Sequence, residues 1–351
     1  MGRWAGGLWV VGALVLTGCF AAPVYQGPKS DHFDGETFSN QVPTETKGFE
    51  DFLRWRRTRV AGNWPEWIDA EPGPAPPERV ADGRLRVTFV NHSTLLVQMD
   101  GLNILTDPIW SDRTSPLSWA GPERVRPPGI RFEDLPPIDA VIISHNHYDH
   151  LDIPTLQEIE RVHDAPVYAG LGNAAFLDSE GISSPVDMDW WDTIELGKGV
   201  ELTAVPCQHF SGRGISDRNK TLWMGFVIKG PSGAVYFAGD TGYGPHFEEI
   251  AERFAPLRLS ILPIGAYKPA DFMSPIHVSP AESVQAHQVL GAPVSVGMHF
   301  GTFPLADDGF EDPIKDLKRA LNEQSVPEES FWVLDFGEGR EVPPLETASN
   351  Q

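Results

Sequence analysis

Directly after the apolar run Ala140-Val141-Ile142-Ile143 the chain reads Ser144-His145-Asn146-His147-Tyr148-Asp149-His150, placing three imidazoles and a carboxylate within six positions. Imidazole nitrogen and carboxylate oxygen are the ligands that zinc and iron accept, and a loop leaving the end of a buried strand fans them around one or two ions. The fold must therefore bury a β-branched strand and still deliver its end to a place that other ligand-bearing segments reach. A solvated surface loop gives no reason for an Asp between the second and third His. Function is expected to run through metal-bound water.

With 351 residues, 41% hydrophobic and 10% aromatic, the chain belongs among globular proteins able to bury a large core. Its 32 prolines and 34 glycines imply much loop, which suits an enzyme whose site is assembled between strands. A formal charge of −22 excludes nucleic acid as a partner, because a polyanion would meet a repulsive field. For an anionic substrate the metal ions themselves must supply the local positive charge.

The first residues bear on the compartment. Arg3 precedes an apolar run from Leu8 to Leu16 that is too short to span a bilayer but suits a secretory signal. Leu16-Thr17-Gly18-Cys19 resembles a bacterial lipoprotein cleavage box, implying removal of residues 1–18 and a lipid on Cys19; an ordinary signal peptide or an uncleaved anchor is the alternative. Phe20, not Asp, follows Cys19, which in that pattern points to the outer membrane of a Gram-negative cell. The expectation is a lipid-anchored protein of the bacterial cell envelope, facing the periplasm. Cys207 would then be the one remaining thiol, expected as a small buried apolar side chain although it lies two residues before His209.

Residues 19–47 are expected to form a tether, and 48–82 an N-terminal helical and linker extension. Within the latter, Arg54, Arg56, Arg57 and Arg59 gather with Trp55, Trp64 and Trp67. That cluster is either a membrane-facing element or a helix packing its aromatics on the main domain. Ala70 to Pro77 is proline-rich and is expected to be a stiff linker. Strand signals follow at Leu85–Val90, Thr94–Met99 and Leu102–Leu105, with Asp100-Gly101 as a hairpin turn. Further strands are predicted at Ala140–Ile143, Val200–Val205, Leu222–Ile228, Ala234–Ala238, Leu259–Ile264, Val294–Met298 and Phe331–Leu334.

Helices are predicted from Ser279-Pro280-Ala281-Glu282, a capping box, and from Asp312-Pro313, carrying Ile314, Leu317 and Leu321. Phe247, Ile250, Ala251 and Phe254 share one helical face, as do Ile153, Leu156 and Ile159. His163, His246 and His287 are expected on helix surfaces without a role. Strands interleaved with one-face-apolar helices predict an α/β (α+β) fold whose sheets are covered by helices on their outer sides. The catalytic domain is expected over 83–340, with 341–351 as a tail.

Four later positions complete the candidate site. His209 follows the strand Val200–Val205, Asp240 ends another beside Gly239 and Gly242, His299 follows Val294–Met298, and His277 precedes the capping box. These segments resemble the metallo-β-lactamase superfamily, an αββα sandwich with a di-metal site along one edge. Leu105-Thr106-Asp107-Pro108-Ile109, Asp189-Trp190-Trp191, Ala238 to Tyr243, Pro263 to Tyr267 and His299 to Phe303 narrow the likeness to its branch of zinc-dependent phospholipases D that hydrolyse N-acyl-phosphatidylethanolamine. The likeness runs from about Arg84 to Gly337.

What the resemblance implies is specific. One zinc would take His145, His147 and His209, the other Asp149, His150 and His299, with Asp240 bridging and an open position on each; iron is an alternative metal. A bridging hydroxide would be the nucleophile, with Asp149 and Asp240 in the catalytic set and His277 donating a proton or stabilising the transition state. His92 would lie just behind the ligands; where the family more often has glycine this chain has Asn91. The implied substrate is a phospholipid, with a small soluble phosphodiester or lactone as the competing one. A non-catalytic metal-binding lipoprotein is disfavoured, since a structural ion needs four ligands and no open position.

Overall fold

The strand Thr94–Met99 (β2) shows how local pattern builds the architecture. Leu95 and Val97 enter one core, whereas Leu96 faces the other way beside Leu105, Val141, Leu156 and Ile159, as the two-residue period of a strand requires. It pairs antiparallel with Leu85–Asn91 (β1) and with Leu102–Thr106 (β3). Asp100 and Gly101 join β2 to β3 with φ of 49° and 75°, the two left-handed residues a tight hairpin of right-handed twist calls for. This is a computed structural model, and it describes residues 25–345 apart from 46, 82 and 215. The expected signal peptide and the lipidation residue Cys19 lie outside the described residues.

From β3 the first sheet continues in parallel through Ala140–Ile143 (β4), Val167–Gly170 (β5) and Pro185–Met188 (β6), and Gly339–Glu341 (β14) closes its far edge beside β1. The second sheet runs β13-β12-β11-β10-β9-β8-β7. Its strands are Thr193–Gly197 (β7), Val200–Val205 (β8), Gly225–Gly230 (β9), Gly233–Phe237 (β10), Leu257–Pro263 (β11), Ser295–Met298 (β12) and Phe331–Trp332 (β13). Each sheet is antiparallel over one half and parallel over the other.

The two sheets share a core in which Val87, Phe89, Val97 and Ile142 of the first join Leu202, Val227, Val235 and Leu259 of the second. Each fully buried side chain of this size contributes roughly 1.5–3 kcal/mol. Helices Ile153–His163 and Asn173–Ser179 cover the outer face of the first sheet through Leu156, Ile159, Phe176 and Leu177. Helices His246–Phe254, Pro280–Leu290 and Asp312–Glu323 cover the second. The result is the expected αββα sandwich. Ser279 opens its helix with the predicted reciprocal cap: its Oγ accepts from Glu282 N, and its own N–H donates to Glu282 Oε2 at 2.7 Å. No helix among the described residues is long and apolar enough to cross a membrane.

Several expectations need correction. The segment read as a tether packs onto the sandwich: Phe33 and Phe38 are fully buried in the main core, because two aromatic side chains gain more from burial than the polar residues around them lose. The proline-rich stretch is likewise laid along the domain, with Gly73 N–H donating to Gly129 O at 2.6 Å. His246 and His287 are buried, not on helix surfaces; each ring finds a hydroxyl, Thr241 Oγ1 at 3.1 Å and Ser295 Oγ at 2.7 Å. Ile314, placed on the apolar face of its helix, is exposed while Leu317 and Leu321 are buried. Of the basic-aromatic cluster, helix Phe49–Thr58 lays Trp55 against Phe272 (ring centroids 5.5 Å apart), and Trp64 donates to Asp308 O at 2.8 Å, yet Arg56, Arg57 and Trp67 remain exposed.

Candidate metal centre

Four strand ends deliver the site. The loop from Ser144 to His150 follows β4, His209 follows β8, Asp240 follows β10 and His299 follows β12. A strand buried on both faces forces its polar continuation out at its end, so ligands placed just after β4, β8, β10 and β12 converge on one edge of the sandwich. Gly239, with φ of 61°, makes the approach possible: a Cβ there would stand 2.5 Å from Ser144 Cβ. The glycine therefore serves the contact between two ligand loops.

All seven predicted ligands are brought together. His145 Nε2 lies 2.7 Å from His147 Nδ1, which lies 3.3 Å from His209 Nε2. Asp149 Oδ2 is 3.3 Å from His150 Nε2 and 3.4 Å from His299 Nε2. Asp240 Oδ2 stands 3.2 Å from His150 Nε2 and 3.1 Å from His299 Nε2, and 3.9 Å from His209 Nε2. Ligand atoms bound at about 2.0–2.2 Å to one tetrahedral ion are separated by about 3.3–3.5 Å. The spacings of 3.1–3.4 Å among Asp149, His150, His299 and Asp240 and between His147 and His209 fit shared cations, whereas His145 Nε2 and His147 Nδ1, at 2.7 Å, stand at hydrogen-bond distance and would part slightly around an ion.

The donor set also passes a test of chemistry. His277 Nδ1 and Asp240 Oδ1 are buried and have no hydrogen-bond partner, and His150 Nε2 and His299 Nε2 meet only carboxylates at 3.1–3.4 Å, without hydrogen-bond geometry. Orphaned polar atoms cost about 1–3 kcal/mol each unless something binds them, and four in one cluster of imidazoles and carboxylates fit a metal. Four groups within it, His145 with His147 and His209, His92 with Asp149, His150 and His299, His145 with His150 and Asp240, and His209 with Asp240 and His277, each hold their donor atoms close enough for one ion, and Asp240 joins the two sides.

Charge follows the same division. Burial lowers His145 and His209 well below the ordinary histidine value, and His147 to about 4, so this trio presents neutral nitrogen. Burial also lowers His150 and His299, but the Asp240 and Asp149 carboxylates outweigh it, holding His150 well above the ordinary value and His299 at about 9. Burial raises Asp149 and Asp240, and the charged imidazoles around them more than reverse this. Two buried carboxylates demand positive charge here.

Two residues without an assigned role hold the ligands from behind. Asp107, at the end of β3, accepts from Ser144 N–H at 2.7 Å, from Ser144 Oγ at 2.6 Å and from His150 Nδ1 at 2.7 Å. Since Ser144 Oγ–H is spent on Asp107, its lone pair receives His145 Nδ1–H at 2.9 Å. One carboxylate thereby sets two rings with their Nε2 atoms facing the site, the role such outer groups play around metal-ligating histidines. His209 is set likewise by donating Nδ1–H to Ile276 O at 2.9 Å. Asp107 lay within a recognised segment, and its signal was a carboxylate directly after a strand that neighbours the ligand strand.

His92 reaches further than expected, its Nε2 lying 3.0 Å from Asp149 Oδ2. His92, Asp107 and His299 all have left-handed φ, of 47°, 34° and 63°, a conformation that costs roughly 1–3 kcal/mol per residue and clusters at functional sites. His299 N–H is tied to His92 O at 2.7 Å and His92 N–H to Thr302 Oγ1 at 3.0 Å. His277 is buried with Nδ1 3.9 Å from Asp240 Oδ2. Cys207 is buried in the main core and is no part of the ligand groups.

Comparison with known proteins agrees with this geometry. The sequence model of the Beta-lactamase superfamily domain matches residues 102–300. The chain is 35% identical to an N-acyl-phosphatidylethanolamine-hydrolyzing phospholipase D of Caenorhabditis elegans, over 74% of this chain and 76% of that one. It is 30% identical to a metal-dependent hydrolase of Methanopyrus kandleri, over 73% of this chain and all of that one. Among solved structures, the metallo hydrolase Igni18 of Ignicoccus hospitalis superposes with a TM-score of 0.56 at 25% identity, covering 74% of this chain and 99% of that one.

Proposed function

Because the chain belongs to the metallo-β-lactamase superfamily and is a metal-dependent hydrolase, we propose that it is a di-zinc phosphodiesterase of phospholipase D type, acting on N-acyl-phosphatidylethanolamine or a similar phospholipid. Asp240 carries the two-cation reading. One of its oxygens faces His150 and His299 on one side and His209 and His277 on the other, so a single carboxylate is available to both ligand groups.

Support for the substrate class comes from the long match to the worm phospholipase D and from a cleft of about 440 Å³ between helix Phe49–Thr58 and the stretch from Lys268 to Phe272. Lys47, Arg54, Arg59 and Lys268 line it together with Asp51, Asp271, Asp307 and the rings of Trp55 and Phe272. Both signs of charge beside aromatic rings suit a phospholipid headgroup. The neighbouring residues Ala306 and Asp308 line the small pocket under His92 and His299, which puts the cleft one stretch of chain from the histidines.

Two bound divalent cations would activate water and offset charge on the phosphoryl oxygens, and iron suits the same nitrogen and oxygen donors. The chain's own groups do the rest. Asp149 and Asp240 accept the hydrogens of the incoming water and orient its oxygen toward phosphorus. With the ions held by the seven ligands, His277 Nδ1, buried and without a hydrogen-bond partner, stays free to donate its N–H to a non-bridging oxygen or the departing alkoxide; burial lowers the ring to about 4, so it acts as a neutral hydrogen-bond donor. Water oxygen bonds to phosphorus, the P–O bond to the amido alcohol breaks, and one water proton ends on that alkoxide. The products are a phosphatidate and an N-acylethanolamine.

A lipid on Cys19, holding the protein at the outer membrane on its periplasmic side, would keep a diacyl substrate at high effective concentration. The deciding experiment assays zinc-loaded protein on N-acylated and plain phosphatidylethanolamine beside a soluble phosphodiester. Release of N-acylethanolamine is expected; turnover of the soluble ester alone would replace this reading with that of a small-substrate hydrolase.

A further inference from the structure

Residues 25–44 cross the sandwich and end against a metal-site histidine. His209 lies in the loop beyond β8, where its main chain has left the sheet and lost its ladder partners. The Asn40 side chain replaces them: Nδ2 donates to His209 O at 3.0 Å, and Oδ1 accepts from His209 N–H at 3.1 Å. The rest of the amide is also committed, Nδ2 to Thr44 Oγ1 at 3.1 Å and Oδ1 to Trp223 Nε1 at 2.8 Å. A primary amide that both donates to and accepts from one residue's backbone fixes that residue as a neighbouring strand would. With the ring held separately through Nδ1 on Ile276 O, both the backbone and the side chain of His209 are set before any ion binds.

The strap is fastened at further points, one of them linked to this contact through Trp223, whose backbone oxygen accepts from Trp190 Nε1 at 2.8 Å. Phe33 and Phe38 are buried in the main core and bridge each other, and Phe38 N–H donates to Asn219 O at 2.8 Å. His32 stands between two carboxylates, Nδ1 2.7 Å from Asp31 and Nε2 2.8 Å from Asp189, with its ring stacked on Trp190 at 4.4 Å. Asp189 and Trp190 lie between β6 and β7, so the anchor ties the strap to the seam between the sheets.

We propose that this N-terminal strap is a working part of the metal centre: Asn40 is the positioning residue for His209, and the His32–Asp189 pair is the strap's anchor. The strap lies ahead of the stretch the family model matches, residues 102–300, so the catalytic unit of this chain starts earlier than the sandwich. The inference rests on the metal-centre reading and not on the substrate.

The test is metal binding by the full chain carrying Asn40→Ala, with zinc affinity measured by chelator competition and the cobalt-substituted protein examined by its visible absorption spectrum. Loss of an outer group that orients a ligand typically weakens metal affinity about 10–100-fold. That loss is expected at one of the two ions, with an altered cobalt band and unchanged near-ultraviolet circular dichroism. His32→Gln, which frees the anchor but leaves both aromatics buried, is expected to act in the same direction and more weakly. Should Asn40→Ala fail to fold, Asn40→Ser takes its place with the same readings. A folded variant that binds both ions with wild-type affinity and spectrum overturns the inference. Wild-type protein that binds no zinc overturns the metal centre and the inference with it.

Discussion

Around Asp149, His150 and His299 the support is buried and in part ionic: Asp107 grips the charged His150, and His92, lowered to about 3 by burial and therefore neutral, donates to Asp149. Left-handed backbone at His92 and His299 is tied by a hydrogen bond between the two. Around His145, His147 and His209 the direct contacts are neutral, coming from Ser144, itself held by Asp107, from the Ile276 carbonyl and from Asn40. Breaking a buried ion pair by removing one partner costs about 3–5 kcal/mol, whereas a neutral hydrogen bond contributes about 0.5–1.5 kcal/mol. The first group is therefore preformed and intolerant. The second is also set in advance, but by weaker neutral bonds, and its His209 depends on chain that arrives from the N-terminus.

The largest effect should come from the residue both groups share. Asp240→Asn is expected to lower turnover by at least about a thousandfold and to reduce zinc content, because it removes charge from both positions; near-normal turnover would separate Asp240 from the reaction. Next, Asp107→Ala should weaken zinc about 10–100-fold and lower the thermal midpoint of the metal-free protein. Ser144→Ala should do less on both counts. Equal effects of the two would erase the contrast between ionic and neutral support. His277→Ala should keep both ions and lose about 10²–10³ in kcat, and unchanged kcat at full metal content would remove it from the mechanism.

The smallest effect concerns the strap. Burial lowers His32, but its bonds to Asp189 and Asp31 outweigh this and raise it above the ordinary 6.5. A raised folded value means that the pair's stabilisation is fully present below about pH 6.5 and is lost as pH rises through the folded value. The thermal midpoint of wild type should thus exceed that of His32→Gln most below about pH 6.5, with the gap narrowing on the alkaline side. The groups facing the ring are Asp31, Asp189, Ser30, Trp190 and Phe38. A gap that stays constant with pH would assign the contact to packing alone.

These two halves of the centre were unequally legible in the sequence. Strand ends are readable because a β-branched run stops where ligands begin, which located His145 to His150, His209, Asp240 and His299 together with β2, β4 and β8 at their observed bounds. β5 was missed because it is a four-residue buried run of Val, Tyr, Ala and Gly, and β6, β7 and β14 because they begin with proline, lie at an edge, or carry no apolar residue. Asn40 was hidden in a polar stretch whose one cue was the aromatic pair Phe33 and Phe38. Side chains that act on another residue's backbone have no spacing signature, since their partners are set by the fold; the separation of 169 positions between Asn40 and His209 illustrates it. The basic-aromatic cluster was ambiguous in sequence, and the structure divides it: Trp55 and Trp64 pack, while Arg56 and Arg57 face solvent.

The most direct measurement is the metal content, by elemental analysis, of full-length protein purified without added metal and shown to be folded. Two equivalents of ion per chain, reduced by Asp240→Asn, are predicted. A well-folded chain holding one equivalent or less, unaffected by that substitution, would contradict a centre in which Asp240 serves two cations.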